Sequence, residues 1–129
     1  MKSFMLKIAP ELGKLELVEI DTKKPSLKHY YDAIGTNIVQ IAYPTEKLES
    51  KFKGLTLWVD EEGLLKGNKY GFSFESDRKV ILLGNGILVK DMGDTSNGFE
   101  SEIEVEELCR EFINDLLIVK LDENVHNKN

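Results

Sequence analysis

The alternation of hydrophobic and polar residues predicts short β-strands along most of this chain. Residues 4–8 and Lys14–Ile20 read as two strands, and residues 10–13 between them carry the proline and glycine of a hairpin turn. Further strands are predicted at residues 37–43, 55–59 and 69–74. This spacing indicates a domain built mainly from antiparallel strands that follow one another closely.

Two segments have the hydrophobic spacing of amphipathic helices. Ser26 can cap the first, and Gly35 suits the left-handed residue that ends it. Its apolar face is predicted to consist of Leu27, Tyr30, Tyr31 and Ile34. Ser101 and Glu104 form a capping box before the second helix. Its apolar stripe is predicted to contain Val105, Leu108, Cys109, Phe112, Ile113 and Leu116.

The connecting segments are mostly polar. Residues 45–53 are predicted to be a charged loop or a single helical turn, and residues 77–79 a turn. Residues 91–98 are predicted to be a flexible loop. Residues 117–121 are either a last short strand or an extension of the second helix.

These elements predict an α+β fold in which a mainly antiparallel, twisted sheet packs against two helices. The 129 residues suffice for one hydrophobic core. We therefore expect a single domain over residues 1–121, with residues 122–129 as a flexible polar tail.

Charge and composition exclude several classes of protein. A net charge of −6 argues against binding to duplex nucleic acid, which requires clustered Lys and Arg. The sequence lacks an apolar stretch of roughly 20 residues and a signal-peptide core, so we expect a cytoplasmic protein without a membrane span. Cys109, the only cysteine, is predicted to be a buried core thiol. We expect no metal and no other cofactor, because one cysteine and two distant histidines cannot form a zinc site.

The acidic turn and the apolar strand that follows it resemble a known family. Trp58 to Gly63 end a strand in Asp-Glu-Glu-Gly, and a Leu-rich return then ends in Lys66-Gly67. With the Gly-interrupted Val/Ile/Leu run of residues 80–89, these motifs resemble Domain of Unknown Function 3846, a family of small phage, plasmid and bacterial proteins. Thr36 stands where a second glycine is common in that family, and Val39 where an acidic residue is common.

Residues 80–89 allow two interpretations. The Asn85-Gly86 pair is typical of a type I′ hairpin turn. The resemblance instead implies one continuous strand in which Gly84 marks a bulge or a close backbone approach. We favour the continuous strand.

Two sets of residues are candidates for binding. If the loops at Gly67 and Gly84 are neighbours, Lys66, Asn68, Lys69 and Asn85 could bind a small anionic molecule. Trp58 lies on the strand face opposite Leu55, Leu57 and Val59, where it could reach a ligand or a protein partner. Glu104, Glu107 and Glu111 are predicted to form an acidic outer face on the second helix. Asp60, Glu61 and Glu62 are predicted to form a solvated turn and not a cation site.

The resemblance implies an accessory role in a phage or mobile element, including counter-defence. We expect a non-enzymatic protein, with no catalytic residues, that masks a host protein. The alternative is a sponge that sequesters a nucleotide-like small molecule, and the third possibility is an uncharacterised enzyme. The oligomeric state does not follow from the sequence.

Overall fold

The computed structural model describes residues 1–42 and 45–121. The helices and strands in these ranges are β1 (Ser3–Ala9), β2 (Lys14–Ile20), α1 (Leu27–Ile34), β3 (Val39–Ala42), β4 (Leu55–Asp60), β5 (Tyr70–Phe74), β6 (Asp77–Leu83), β7 (Gly86–Asp91), β8 (Ser96–Asn97), α2 (Glu102–Leu108), α3 (Arg110–Asp115) and β9 (Leu116–Lys120). Short 3₁₀ helices occupy Pro10–Leu12 and Glu46–Lys51. The predicted α+β class is confirmed. The predicted tail, residues 122–129, and the end of the third predicted strand lie outside the described residues.

The strands form two antiparallel sheets instead of the single predicted sheet. The larger sheet has the order β2-β1-β7-β4-β3, and β8 pairs with the end of β7. The smaller sheet has the order β6-β5-β9. The predicted hairpin of β1 and β2 is confirmed, since all residues from Ser3 to Ala9 pair with Lys14–Ile20.

The larger sheet lies between two hydrophobic cores. On one face, Leu57 and Leu88 pack with Phe72, Phe74 and Phe112 of the smaller sheet and α3. On the other face, Met5, Ile87 and Val89 pack against Tyr30 and Ile34 of α1. Alternation along β4 sends Leu57 and Val59 to the first core and Trp58 to the α1 face. Each fully buried Leu, Ile or Phe contributes roughly 1.5–3 kcal/mol through removal of apolar area from water.

Helix α1 has the predicted ends. Gly35 adopts φ +84° and donates its N–H to the Tyr31 carbonyl, as a left-handed C-terminal residue does. At the other end, the Ser26 N–H donates to His29 Nδ1 at 2.9 Å. This bond gives His29 a structural role in the cap. None of the helices in the described ranges is long and apolar enough to cross a membrane.

Both interpretations of residues 80–89 are wrong. The segment divides between β6 of the smaller sheet and β7 of the larger one, and these two strands do not pair. Gly84, at φ +94°, turns the chain from one sheet to the other. Gly86 lets the strand approach Phe72, whose Cζ would lie 2.8 Å from an added Cβ. The Asn-Gly pair therefore marks a change of sheet and not a hairpin.

Two of the predicted connections are also wrong. Residues 77–79 begin β6, and the turn lies just before them, where the Ser76 N–H and hydroxyl both donate to the Asp115 carboxylate. Asp115 comes from α3, a contact between distant residues that local sequence does not reveal. Residues 91–98 contain β8, because Ser96 and Asn97 pair with Asp91 and Lys90.

The second predicted helix bends at Cys109 into α2 and α3. The backbone bonds from Cys109 N to Val105 O and from Ile113 N to Cys109 O persist across the bend, at 2.9 and 2.8 Å. Val105, Cys109 and Phe112 are buried, whereas Leu108 is 48% exposed, so the predicted stripe is narrower than expected. Burial raises the pKa of the Cys109 thiol to about 12, and the predicted core cysteine is confirmed.

Candidate functional site

Two recesses lie at opposite ends of α1. The first, which we call the cavity, has a volume of about 310 Å³ and adjoins Ile34 and Gly35 at the C-terminal end of the helix. The second, which we call the groove, has a volume of about 1190 Å³ and adjoins Leu27 and Tyr30 nearer its N-terminal end. The binding residues predicted from the sequence separate between these two places and a third surface.

All four predicted ligand-binding residues line the cavity. They are Lys66, Asn68, Lys69 and Asn85. The loops at Gly67 and Gly84 therefore do share one recess, as the prediction of a ligand site requires. The side chains also hold the loops in place: Asn68 Nδ2 donates to the Gly63 carbonyl at 3.0 Å, and Asn85 Nδ2 donates to the Ile34 carbonyl at 3.3 Å.

A buried carboxylate forms one wall of the cavity. The Asp60 side chain is only 5% exposed and accepts hydrogen bonds from the Thr36 hydroxyl, the Glu62 N–H and Lys66 Nζ, at 3.2, 2.9 and 3.0 Å. Lys66 Nζ also donates to the Thr36 hydroxyl at 2.8 Å. We call Asp60, Thr36 and Lys66 the Asp60 network. The interpretation of Asp60 as part of a solvated turn is wrong, because the carboxylate faces inward and is paired.

The groove has an aromatic floor. Tyr30 and Trp58 stack with ring centroids 4.6 Å apart and planes 19° apart. Trp58 Nε1 is buried and makes no hydrogen bond of normal geometry within the described part of the chain. Burial raises the pKa of the Tyr30 hydroxyl, against the smaller lowering effect of the nearby Ser96 and Trp58 side chains. The floor thus presents the partly exposed Trp58 ring, backed by the buried ring of Tyr30.

The rim of the groove is acidic. Its charged residues are Glu46, Glu49, Asp91, Asp94 and Lys53, all of them exposed. Among the described residues, Glu46, Glu49 and Asp94 have no ion-pair partner. Asp91 accepts a hydrogen bond from the Gly93 N–H at 2.9 Å. Four carboxylates against one lysine make the groove electronegative.

The predicted partner-binding residues do not form one surface. Trp58 belongs to the α1 face of the larger sheet, whereas α2 and α3 pack on the opposite face. Glu104 forms an ion pair with Lys90 and accepts the Glu100 N–H at 3.3 Å. Glu111 Oε2 lies 3.9 Å from Lys51 Nζ. Only Glu107 of the three combines exposure with the lack of an ion-pair partner in the described ranges.

Sequence reasoning missed several residues of these recesses. Tyr30 is buried, as the predicted apolar face of α1 requires, but its stacking on Trp58 does not follow from the sequence. Glu46 and Glu49 fall in the predicted charged loop and Asp60 in the predicted solvated turn, and neither prediction indicates a recess. Asp60 shares the strand phase of Trp58, so the β4 alternation was a signal that both side chains face α1. The rim acids come from segments 45 residues apart, and no local pattern indicates that they meet.

No group of three or more His, Cys, Asp or Glu side chains that could hold a metal ion occurs in residues 1–42 and 45–121. The family model described as Domain of unknown function (DUF3846) matches residues 1–113 of the chain. No curated protein and no solved structure matches it.

Proposed function

Because the chain belongs to the Domain of unknown function (DUF3846) family, whose description names no activity, we propose its function from the groove. The protein binds, without catalysis, a positively charged segment of a partner protein. As an accessory factor of a phage or mobile element, it masks a host protein by covering that segment. The observation that carries this proposal is the acidic rim around the stacked Tyr30 and Trp58.

The charges of the groove favour a basic partner. Glu46 and Glu49 come from the 3₁₀ helix at one side, and Asp91 and Asp94 from the end of β7 and the loop after it. Repulsion among these four carboxylates, which one lysine only partly offsets, is reduced when a cation approaches. Such complementarity steers association and selects the partner. Lysine and arginine side chains also bind well to aromatic faces.

The exposed part of Trp58 also favours an occupant. Its ring lines the groove and is partly exposed, whereas its Nε1 atom is buried. A side chain of a docked peptide can therefore pack on the indole ring. The groove therefore supplies charge recognition at its rim and aromatic contact at its floor.

Intrinsic fluorescence tests the proposal, because Trp58 is the single tryptophan of the chain. An arginine- and lysine-rich peptide is titrated into the protein, with an acidic peptide of the same length as the comparison. We expect a saturable change in Trp58 emission with the basic peptide, weakening as salt rises, and no change with the acidic one. An equal response to both peptides would contradict the proposal.

A matched pair of variants locates the contact. Glu49→Lys reverses a charge at the groove, and Glu107→Lys reverses one on α2, on the other side of the larger sheet. We expect the first variant to bind the basic peptide more weakly and the second to behave as the parent protein. The opposite order would place the contact on the acidic helix.

A further inference from the structure

We infer that the cavity binds a small uncharged molecule with adjacent hydrogen-bond donors and acceptors, of the size and class of a nucleobase or nucleoside. The cavity lies at the other end of α1 from the groove. This site is therefore separate from the peptide site proposed above.

Two asparagines offer paired donors and acceptors. The backbone N–H groups of Asn68 and Asn85 donate no hydrogen bond within the described part of the chain. Their side-chain Oδ1 atoms accept none there either, and neither atom is fully buried. Each residue thus leaves one donor and one acceptor unused at the cavity. Nucleobases present the complementary arrangement of ring N–H, exocyclic amine and carbonyl groups along one edge.

These polar groups are already oriented. Asn68 Nδ2 is held by the Gly63 carbonyl and Asn85 Nδ2 by the Ile34 carbonyl. With each amide nitrogen fixed, the remaining oxygen has a defined direction. Preorganised groups lose less conformational entropy when a ligand binds, which favours affinity for a small molecule.

The charges of the cavity are balanced and favour an uncharged ligand. Its charged residues are Glu11, Asp60, Lys66 and Lys69. Asp60 and Lys66 neutralise each other at 3.0 Å within the Asp60 network. The anionic ligand predicted from the sequence would have to compete with Asp60 for Lys66. A phosphate group needs an excess of cationic donors to replace its hydration, and the cavity does not supply one.

The size of the cavity also limits the ligand. About 310 Å³ is near the lower end of the roughly 300–1000 Å³ of small-molecule sites. One base or nucleoside fits this volume, whereas a cyclic dinucleotide does not. Tyr70, Pro10 and Ile34 in the lining provide apolar contact beside the polar groups.

NMR spectra of the ¹⁵N-labelled protein test the inference directly. Adenosine, guanosine, cytidine and uridine are titrated one at a time, followed by the 5′-monophosphate of each. We expect at least one nucleoside to shift the backbone amides of Asn68 and Asn85 saturably. We expect its monophosphate to bind at least about tenfold more weakly, because the phosphate loses hydration without gaining a cationic partner.

Three results would overturn the inference: no saturable shift at Asn68 and Asn85 with any nucleoside, equal or tighter binding of the monophosphates, or shifts confined to the Trp58 indole. The last result would place the ligand in the groove. Failure of the basic peptide to bind would leave this inference standing, since the peptide titration reports on Trp58 and the nucleoside titration on Asn68 and Asn85.

A matched pair of substitutions adds a second reading. Asn85→Asp keeps the side-chain shape but replaces the Nδ2 group, which the Ile34 carbonyl holds, with a negatively charged oxygen. The remaining oxygen then loses its fixed direction, and the cavity gains a negative charge. Asn37→Asp makes the same change at an exposed residue outside the cavity lining. We expect the first to weaken nucleoside binding about tenfold or more and the second to leave it unchanged. Unchanged binding by a folded Asn85→Asp variant would contradict the inference, and if that variant does not fold, the shifts in the parent protein decide.

Discussion

The groove and the cavity adjoin the same helix but differ in how their polar groups are satisfied. In the cavity, Asp60 accepts three hydrogen bonds and Lys66 is paired with it. In the groove, Trp58 Nε1 has no partner within the described residues, and the rim acids Glu49 and Asp94 form no ion pair there. The charged groups of the cavity are paired within the protein, whereas most of those of the groove remain available to a partner.

This difference separates residues that stabilise the fold from residues available for binding. A buried, fully paired carboxylate is costly to remove, because its partners lose their acceptor. An exposed unpaired carboxylate contributes little to the stability of the fold, so it is available to bind a partner. Substitutions at the cavity wall should therefore change the free energy of unfolding, and substitutions in the groove should change affinity.

The largest expected effect is that of Asp60→Ala. The substitution removes the acceptor of the Thr36 hydroxyl, the Glu62 N–H and Lys66 Nζ together. We expect the free energy of unfolding in urea to fall by about 2–4 kcal/mol. Glu61→Ala is the control, since Glu61 is exposed and its side chain has no partner in the described ranges. A loss below about 1 kcal/mol for Asp60→Ala would mean that the network does not hold the fold.

Ionisation of Cys109, which lies in the core between the two sheets, should lower the free energy of unfolding by about 2 kcal/mol between pH 8 and pH 10. Burial raises the pKa of Cys109 to about 12, against about 8.5 in the unfolded chain. Above pH 8.5 the unfolded chain loses the thiol proton and the folded protein keeps it, so stability falls by about 1.4 kcal/mol per pH unit. This contribution is complete below pH 8.5 and is lost as the pH approaches 12. It is measured as the difference between the parent protein and Cys109→Ala in urea unfolding at pH 8 and pH 10. If the difference in free energy of unfolding between the two proteins is the same at both pH values, the thiol ionises as readily in the folded protein as in the unfolded chain.

Trp58→Phe should change binding more than stability. The substitution keeps an aromatic ring against Tyr30 and removes the unpaired N–H, so we expect unfolding to shift by less than about 1 kcal/mol. Affinity for the basic peptide should fall about 3- to 10-fold, because phenylalanine offers a smaller aromatic face to a cationic side chain. Calorimetric titration measures this loss, since the variant has no tryptophan. If the variant binds as tightly as the parent, the indole ring makes no contact with the peptide.

The smallest expected effect is that of neutralising one rim carboxylate. Glu49→Gln should weaken peptide binding less than about fivefold, since an exposed charge contributes about 0.2–1 kcal/mol. The loss should disappear at high salt, where exposed charges are screened. Glu107→Gln on α2 is the matched control and should change nothing. A loss that persists at high salt would indicate a contact other than charge.

The local elements followed from the sequence, and the contacts between distant segments did not. Capping residues predict the ends of α1, and the local hydrophobic pattern predicts β1, β2, β4 and β5. These predictions succeed because each depends only on residues that are close together in the sequence. The division into two sheets was not predictable from the Asn85-Gly86 pair. Whether such a pair closes a hairpin or carries the chain to another sheet depends on distant partners: Leu83 pairs with Gly71 in the smaller sheet, and Gly86 pairs with Ile8 and Val59 in the larger one.

The same distinction applies to the candidate sites. The four cavity residues were predicted together, since Lys66, Asn68 and Asn85 each adjoin a glycine and Lys69 lies two residues from Gly67. Their pairing was not predicted, because Lys66 meets Asp60 and Thr36 only in the folded protein. Thr36 supplies the hydroxyl of this network, and its contacts with Asp60 and Lys66 join distant parts of the chain.

The indole N–H signal of Trp58 tests the central claim most directly, because the single tryptophan gives one such NMR resonance. The account predicts that an arginine-rich peptide shifts this resonance saturably, together with the backbone amides of Thr56 and Ser96 in the groove lining. It predicts no shift for Glu107 on α2. Shifts confined to α2 and α3, with the indole resonance unmoved, would contradict it.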